Sequence, residues 1–539
     1  MIRIFLLLLI ILPGYIISQE FQINKSHPVN GFLDRYYTIT GRTIENFLYP
    51  VHRDVIFSRL NELSVYDSLF TKTDKELFNQ FISEFGPQTD VNVKQLTSFE
   101  NYEFLSEKES YFYFSNSSDS FSVGINLIAE IGYHSNFSDG SSANTVLLGG
   151  DLSARFGKHV TFNLRGLNGI FSGNKSAIRD QRRYNSNYKL TDDPNSAFYD
   201  ETEGNISLTY PGVSFTLARG DLSAGLGQFS PMIRDLYPRS DFFSLNLSYG
   251  ILNYTFAHGS LLAESVYLGD SITGGIREIP EKYIVFHKAS FSISEAVKMH
   301  FGEMVVYSGR GMDPGYLNPF NFYKTVEHSR VDRDNTALFT AFESVLPYSS
   351  KFYLTLLMDD IDYAKLGSGW WGNQTLLHGG ITSFPVISYV PTEISLEILQ
   401  IQPYVFSHRI KRNNFANLSV PVWGEFSPNS VNYLISAGGW FSDKFYSKMS
   451  YTFTQRALNE YDSAGNLVKN YGSNVNEGHR SFDSETIGFL EGIKDKVHSF
   501  EAGVIYQPVN NYFLKLIYKF SDSSVGNTNF ASFYLTIKL

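Results

Sequence analysis

The last nine residues, Ala531-Ser-Phe-Tyr-Leu-Thr-Ile-Lys-Leu539, constrain the fold more than any other stretch. Side chains alternate along a strand, so Ala531, Phe533, Leu535, Ile537 and Leu539 share one face, and Ser532, Tyr534, Thr536 and Lys538 share the other. An apolar face that runs to the final carboxylate has no later segment to cover it. The closing strand of a transmembrane β-barrel solves this, with lipid on the outer face and water on the inner one. Alternation alone would also suit an edge strand of a soluble sandwich. Other segments tip the balance. Tyr512, Leu514, Leu516, Tyr518 and Phe520 oppose Lys515 and Lys519. Phe445, Met449, Tyr451 and Phe453 oppose Lys444, Lys448, Ser450 and Thr452. Val160, Phe162 and Leu164 oppose Thr161, Asn163 and Arg165. Lys and Arg in mid-strand need a polar lumen, and aromatic residues at strand ends suit interfacial girdles.

Composition narrows the class. The 539 residues include no cysteine, and 16% are aromatic, with 46 Phe and 35 Tyr. The one long apolar run follows Arg3 and spans Ile4–Leu12, ahead of Pro13-Gly14 and Ser18. This reads as a secretory signal peptide over residues 1–18, too short for a transmembrane helix and with no cysteine after it for a lipid anchor. Disulfides contribute nothing, so stability has to come from a closed hydrogen-bond network or a large core. A net charge of −10 argues against a nucleic-acid partner.

Residues 19–100 are expected to form a small helical element and a linker, and residues 101–539 the barrel. Residues 30–90 look helical. Thr73-Asp-Lys-Glu76 reads as a capping box ahead of Leu77, Phe78, Phe81, Ile82 and Phe85, and Gly86-Pro87 stops that helix. Val55, Ile56, Leu60 and Leu63 define an earlier apolar side. A linker follows from Gln88 to about Leu105. Beyond it, short connections (Ser294–Val297, Pro347–Ser350, Ser442-Asp443, Gln507–Asn511) alternate with long ones (Gly309–Asn335, Asp362–Asn373, His408–Ser430, Asn459–Asp495). Counting back from Leu539 places these short turns on the side of the C-terminus. About 430 residues at roughly 24 per strand and its share of loop give some 16 to 20 antiparallel strands.

Several blocks in order resemble one family. They are His300-Phe-Gly-Glu303 through Tyr307, Tyr316-Leu-Asn-Pro-Phe320, Asp334-Asn335, Leu356-Leu-Met-Asp-Asp-Ile361, Gln402-Pro-Tyr-Val-Phe-Ser-His408 and Phe426-Ser-Pro-Asn-Ser430. Together they resemble the Wzi capsule-assembly family, including its P-Y-x-Y-S-H and G-P-N-S stretches. Phe406 replaces the family's Tyr, and Phe426-Ser427 precede Pro428 where the family has Gly. The chain is similar to a divergent, longer branch found in Bacteroidetes-type bacteria. The resemblance implies an outer-membrane barrel of 18 strands with a periplasmic helical bundle, acting as a lectin for capsular polysaccharide.

No nucleophile elbow, zinc-protease helix, P-loop or dinucleotide fingerprint is present, so neither an enzymatic activity nor a cofactor is expected. Asp359, Asp360 and Asp362 are acidic neighbours, but alternation points the first two to opposite faces, which favours structural pairing over a metal site. The twelve His residues show no metal-ligand spacing. Two long loops are more suggestive. One carries Arg310, Tyr316, Tyr323, His328, Arg330 and Arg333, and the other His408, Arg409, Arg412 and Trp423, with Trp370 and Trp371 on the loop between. Aromatic rings stack on sugar C–H faces and guanidinium groups pair with acidic sugars. The competing reading is internal: Glu327, Asp332 and Asp334 can neutralise the arginines. The resulting expectation is an outer-membrane barrel of a Gram-negative cell, embedded in lipid, that binds capsular or other surface polysaccharide. A diffusion pore and an outer-membrane hydrolase are the alternatives.

Overall fold

The computed structural model describes residues 21–86, 112–115, 121–178, 183, 188–190, 195–234, 239–268, 276–509 and 512–538. The expected signal peptide and the whole of the expected linker lie outside the described residues.

Eighteen long strands close into one antiparallel barrel. They are β1 Phe121–Asn136, β2 Ser141–Phe156, β3 Val160–Gly173, β4 Ser196–Tyr210, β5 Val213–Gly220 and β6 Ser240–Tyr249. There follow β7 Leu252–Leu262, β8 Glu281–Ser294, β9 Val297–Ser308, β10 Asn335–Leu346, β11 Ser350–Asp360 and β12 Gln374–Ser383. The last six are β13 Val390–Ile401, β14 Ser430–Ser442, β15 Phe445–Leu458, β16 Ile493–Tyr506, β17 Tyr512–Ser523 and β18 Gly526–Lys538. The C-terminal strand closes the ring against β1, with Phe533 opposite Tyr133 and Ile537 opposite Ala129. Closure leaves no unpaired edge, which a lipid-facing sheet requires.

The outer face is apolar all round. Ile131, Leu164, Ile206, Phe301, Leu396, Ile435, Leu516 and Phe533 stand exposed on successive parts of the circumference. Connections 157–159, 211–212, 250–251, 295–296, 347–349, 384–389, 443–444 and 507–511 share one end with the C-terminus. The long connections 174–195, 221–239, 263–280, 309–334, 361–373, 402–429 and 459–492 share the other. Two tight hairpins, 137–140 and 524–525, depart from the expected alternation and sit at the long-loop end, flanking the closing seam. Tyr249, Tyr348, Tyr389 and Phe441 stand exposed at the short-turn end, the position of an interfacial aromatic girdle.

Among the described residues, three α-helices precede the barrel: α1 Pro28–Ile39, α2 Arg53–Leu63 and α3 Lys72–Phe85. They bury their own core around Leu33, Tyr36, Ile56, Leu60, Leu77 and Phe81. Two details differ from expectation. The capping box of α3 is Thr71 with Asp74, not Thr73 with Glu76: Asp74 N donates to Thr71 Oγ1 at 3.1 Å and Thr71 N to Asp74 Oδ2 at 3.3 Å. Tyr36 OH also donates to Asp74 Oδ2 at 2.6 Å, so a tertiary contact selects that register. Val55 faces away from Ile56, Leu60 and Leu63 and is exposed.

The helices cap the short-turn end. Thr43 N donates to Glu295 O at 2.7 Å, Arg35 Nη1 to Thr392 O at 3.0 Å and Gln80 Nε2 to Asp443 Oδ2 at 3.2 Å. From there residues 42–52 enter the lumen. Lys288 Nζ of β8 lies 2.6 Å from Glu45 Oε1, and Lys298 Nζ of β9 lies 3.6 Å from Glu45 Oε2. Burial would raise the Glu45 pKa, but the two ammonium groups outweigh it and hold the carboxyl well below its usual range. Deeper in, Leu48-Tyr49 pair with Ala224-Ser223 of the 221–239 connection, which folds inward from the opposite end. Phe47 stacks on Phe286 and Phe339 of the wall. A single apolar cluster then joins Phe47, Leu226, Phe229, Phe406, Phe415 and Trp423 to the barrel's inner face.

Removing one partner of a buried ion pair costs about 3–5 kcal/mol. Glu45→Ala is therefore expected to leave the barrel folded, with normal heat-modifiable gel mobility, while trypsin gains access to Arg53 and Arg59. Unchanged protection of these sites would contradict the role given to Glu45.

Candidate functional site

The long-loop end was expected to carry the site, and the structure separates its residues into two sets. The 309–334 connection folds through two short helices, α4 Pro314–Leu317 and α5 Tyr323–Ser329. Asp313 caps α4 by accepting from Gly315 N at 2.9 Å. It also accepts from Arg310 Nε at 3.0 Å and Arg330 Nη2 at 2.6 Å. Asp334 accepts both outer nitrogens of Arg310, at 2.9 and 2.6 Å, and the Tyr316 hydroxyl at 2.8 Å. Burial, then the neighbouring Asp334 carboxylate, push the Tyr316 hydroxyl pKa well up, so it stays a donor. Tyr316 and Tyr323 are fully buried, and Tyr323 stacks on His287 at 4.3 Å. Arg310 and Arg330 thus spend their guanidinium groups on aspartates within the loop. Trp423 is also fully buried, packed on Phe406 at 4.6 Å and donating Nε1 to Phe426 O at 3.0 Å. These five side chains hold the loops, and Tyr316, Tyr323 and Trp423 present no free face to a ligand.

The rest, His408 apart, stay accessible. His328 is exposed, 3.9 Å from Asp332, and Arg333 is half exposed, 3.9 Å from Asp334. Arg409 is exposed and donates Nη2 to the carbonyls of Val331 at 3.0 Å and Asp332 at 2.6 Å. Asn413 Nδ2 donates to Arg333 O at 2.7 Å, completing the seam between the two loops. Arg412 is exposed against Gly309, where an added Cβ would meet its Nη2 at 3.1 Å. Arg333, Arg409 and Arg412 therefore converge on one rim. His408 lies beneath it, and burial lowers its pKa to about 4, so it is neutral at pH 7.

Trp370 and Trp371 belong to a separate seam between connections 361–373 and 459–492. Both indole nitrogens donate to Glu485 Oε2, at 3.4 and 3.2 Å. Trp371 lies flat on His479 at 3.9 Å, and Lys365 Nζ sits 3.9 Å over Trp370. Asp313, Glu485 and His479 were missed from sequence. Asp313 carried a signal, since an Asp directly before a Pro at a helix start is a standard N-cap. Glu485 and His479 act through long-range contacts and carried none.

The Asp359–Asp362 cluster disperses as alternation requires. Asp359 accepts from Phe406 N at 2.6 Å, Asp360 accepts from Ile361 N at 3.0 Å, and Asp362 accepts from Ala364 N at 3.0 Å. Among the described residues, no group of three His, Asp or Glu is placed to hold a metal. A Ser290–His300–Glu343 row, with Ser290 Oγ 2.8 Å from His300 Nδ1 and His300 Nε2 3.3 Å from Glu343 Oε1, is buried on the inner face, where the Phe47 ring lies 4.8 Å from His300.

Closure and an apolar circumference define the class: a transmembrane β-barrel. No family profile and no curated sequence relative matches the chain. Among solved structures, the chain is similar in fold to Wzi of Escherichia coli, described as an outer-membrane protein involved in group 1 capsule assembly and a carbohydrate-binding β-barrel. The TM-score is 0.61 at 10% identity, over 96% of this chain and 99% of that one. OprD and vanillate-bound OpdK of Pseudomonas aeruginosa overlap more loosely, with TM-scores of 0.43 and 0.44 at 9% and 11% identity. They cover 77% and 78% of this chain and 95% and 99% of theirs, too loose to bear on function.

Asp334→Ala strips Arg310 and Tyr316 of their shared acceptor, at a cost of about 3–5 kcal/mol for a buried pair broken on one side. Faster amide exchange confined to residues 309–334, read by mass spectrometry, is the expected outcome. Exchange identical to wild type would show that this aspartate does not hold the loop.

Proposed function

We propose that this chain is an outer-membrane barrel that holds capsular or other surface polysaccharide at its long-loop mouth, without enzymatic activity. In this reading residues 1–18 are a signal peptide. The helices within residues 19–100 sit in the periplasm, and residues 101–539 form the barrel. The observation that carries it is a lumen partly filled by segments from both ends beneath a basic rim of Arg333, Arg409 and Arg412. A plugged lumen suits retention better than passage of large solutes, and guanidinium groups at the surface suit acidic sugars. The fold shared with a carbohydrate-binding barrel supports the same reading.

A second reading, a narrow solute path, has one observation in its favour. Glu501 of β16 and Lys519 of β17 lie opposite each other on the inner face, and their side chains remain 52% and 37% exposed. The wall beside the plug is therefore wet.

Each exposed contact is weak, about 0.5–1 kcal/mol, so affinity would come from many repeats engaging many copies. Arg409→Ala combined with Arg412→Ala is expected to lower recovery of the cell's own polysaccharide in a pull-down several-fold, with unchanged heat-modifiable mobility. Full recovery with normal mobility would remove the rim from the site.

A further inference from the structure

The 459–492 connection holds a cavity of about 150 Å³ that no residue of the basic rim lines. Pockets that enclose drug-sized ligands run from about 300 to 1,000 Å³, so this one has room for a single ring. Its walls carry Tyr471, Phe482, Lys469, Ser484, Thr486 and Glu491. Phe482 is 76% exposed, although Arg480 backs its ring at 4.5 Å. One face of the ring is thus held by a guanidinium group while the rest stays open to solvent, the arrangement on which the C–H face of a sugar stacks.

The cavity is also rigid. Arg480 grips Asp483 through Nε at 2.9 Å and Nη2 at 2.7 Å, and donates Nη1 to Leu467 O at 2.9 Å. Asn470 Nδ2 donates to Gly478 O at 3.0 Å and Asp483 Oδ2 at 3.2 Å. Asn459 Oδ1 accepts from Tyr471 N at 2.8 Å and Ser473 N at 3.2 Å. A loop tied at so many points loses little entropy when it binds.

The charges lining the cavity are spoken for. Arg480 and Asp483 satisfy each other, Lys469 Nζ lies 4.7 Å over the Tyr471 ring, and Glu491 Oε2 accepts from Gly488 N at 2.8 Å. With neither sign in excess, the cavity offers hydroxyl-bonding groups around aromatic faces. We propose that it binds one uncharged pyranose ring, stacked on Phe482 and hydrogen-bonded by the polar groups around it. The proposal rests on the polysaccharide reading and deepens it: the rim takes acidic groups, and this cavity takes a neutral sugar of the chain.

The test is saturation-transfer NMR on the full-length protein in detergent, with methyl glycosides of glucose, galactose and mannose at millimolar concentration. At least one is expected to receive saturation. Phe482→Ala should abolish the transfer, Phe482→Tyr should retain it, and the Arg409→Ala, Arg412→Ala double variant should leave it intact. No transfer to any of the three sugars, or equal transfer in Phe482→Ala, overturns the proposal. The two claims fail separately. Polymer retained without glycoside transfer removes the cavity and leaves the polysaccharide reading standing. Glycoside transfer without polymer retention does the reverse.

Discussion

Everything in this structure depends on the closing of β18 against β1. A bilayer offers no water to backbone amides, so a sheet inside it has to be a ring. Once the ring exists, side-chain alternation sorts each strand into a lipid face and an inner face. Leu516 and Phe533 go outward, while Lys515, Lys519 and Ser532 go inward. The apolar circumference and the polar residues within it are one consequence of one closure.

Closure also creates a problem, because a ring of 18 strands encloses more space than its own side chains fill. The chain fills part of it from both directions. Residues 42–52 rise from the helical cap, and the 221–239 and 402–429 connections descend from the long-loop end. They meet at Leu48-Tyr49 and Ser223-Ala224, where Gly225 N also donates to Phe47 O at 2.9 Å. The helical cap and the mouth are thereby joined through the lumen. Arg234 N donates to Val422 O at 2.7 Å, next to the buried Trp423, so the plug also supports the loop that presents Arg409 and Arg412.

The barrel was legible in the sequence because its cause is local and periodic. Two-residue alternation in Ala531–Lys538 and the spacing of short and long connections needed no knowledge of distant residues. The plug was not legible, because Phe47, Phe286 and Phe339 meet across hundreds of residues with no shared pattern. The same gap explains the divided site. Composition alone cannot separate Arg310, spent on Asp313 and Asp334, from Arg412, which stands at the surface. Trp423 and Trp371 are both loop tryptophans, yet one is buried in the plug and the other lies across His479 at the mouth. Even the capping box followed this rule. Thr71-Asp74 and Thr73-Glu76 fit nearly the same pattern, and the hydrogen bond from Tyr36 decides between them.

In the proposed function the lumen is plugged and the mouth retains a polymer, so the barrel would not serve as a wide pore. The most direct test of this reading is the conductance of the purified full-length protein in planar bilayers. The structure predicts little steady current, at most a narrow leak along the wet wall beside Glu501 and Lys519. Sustained channels of porin size would contradict it.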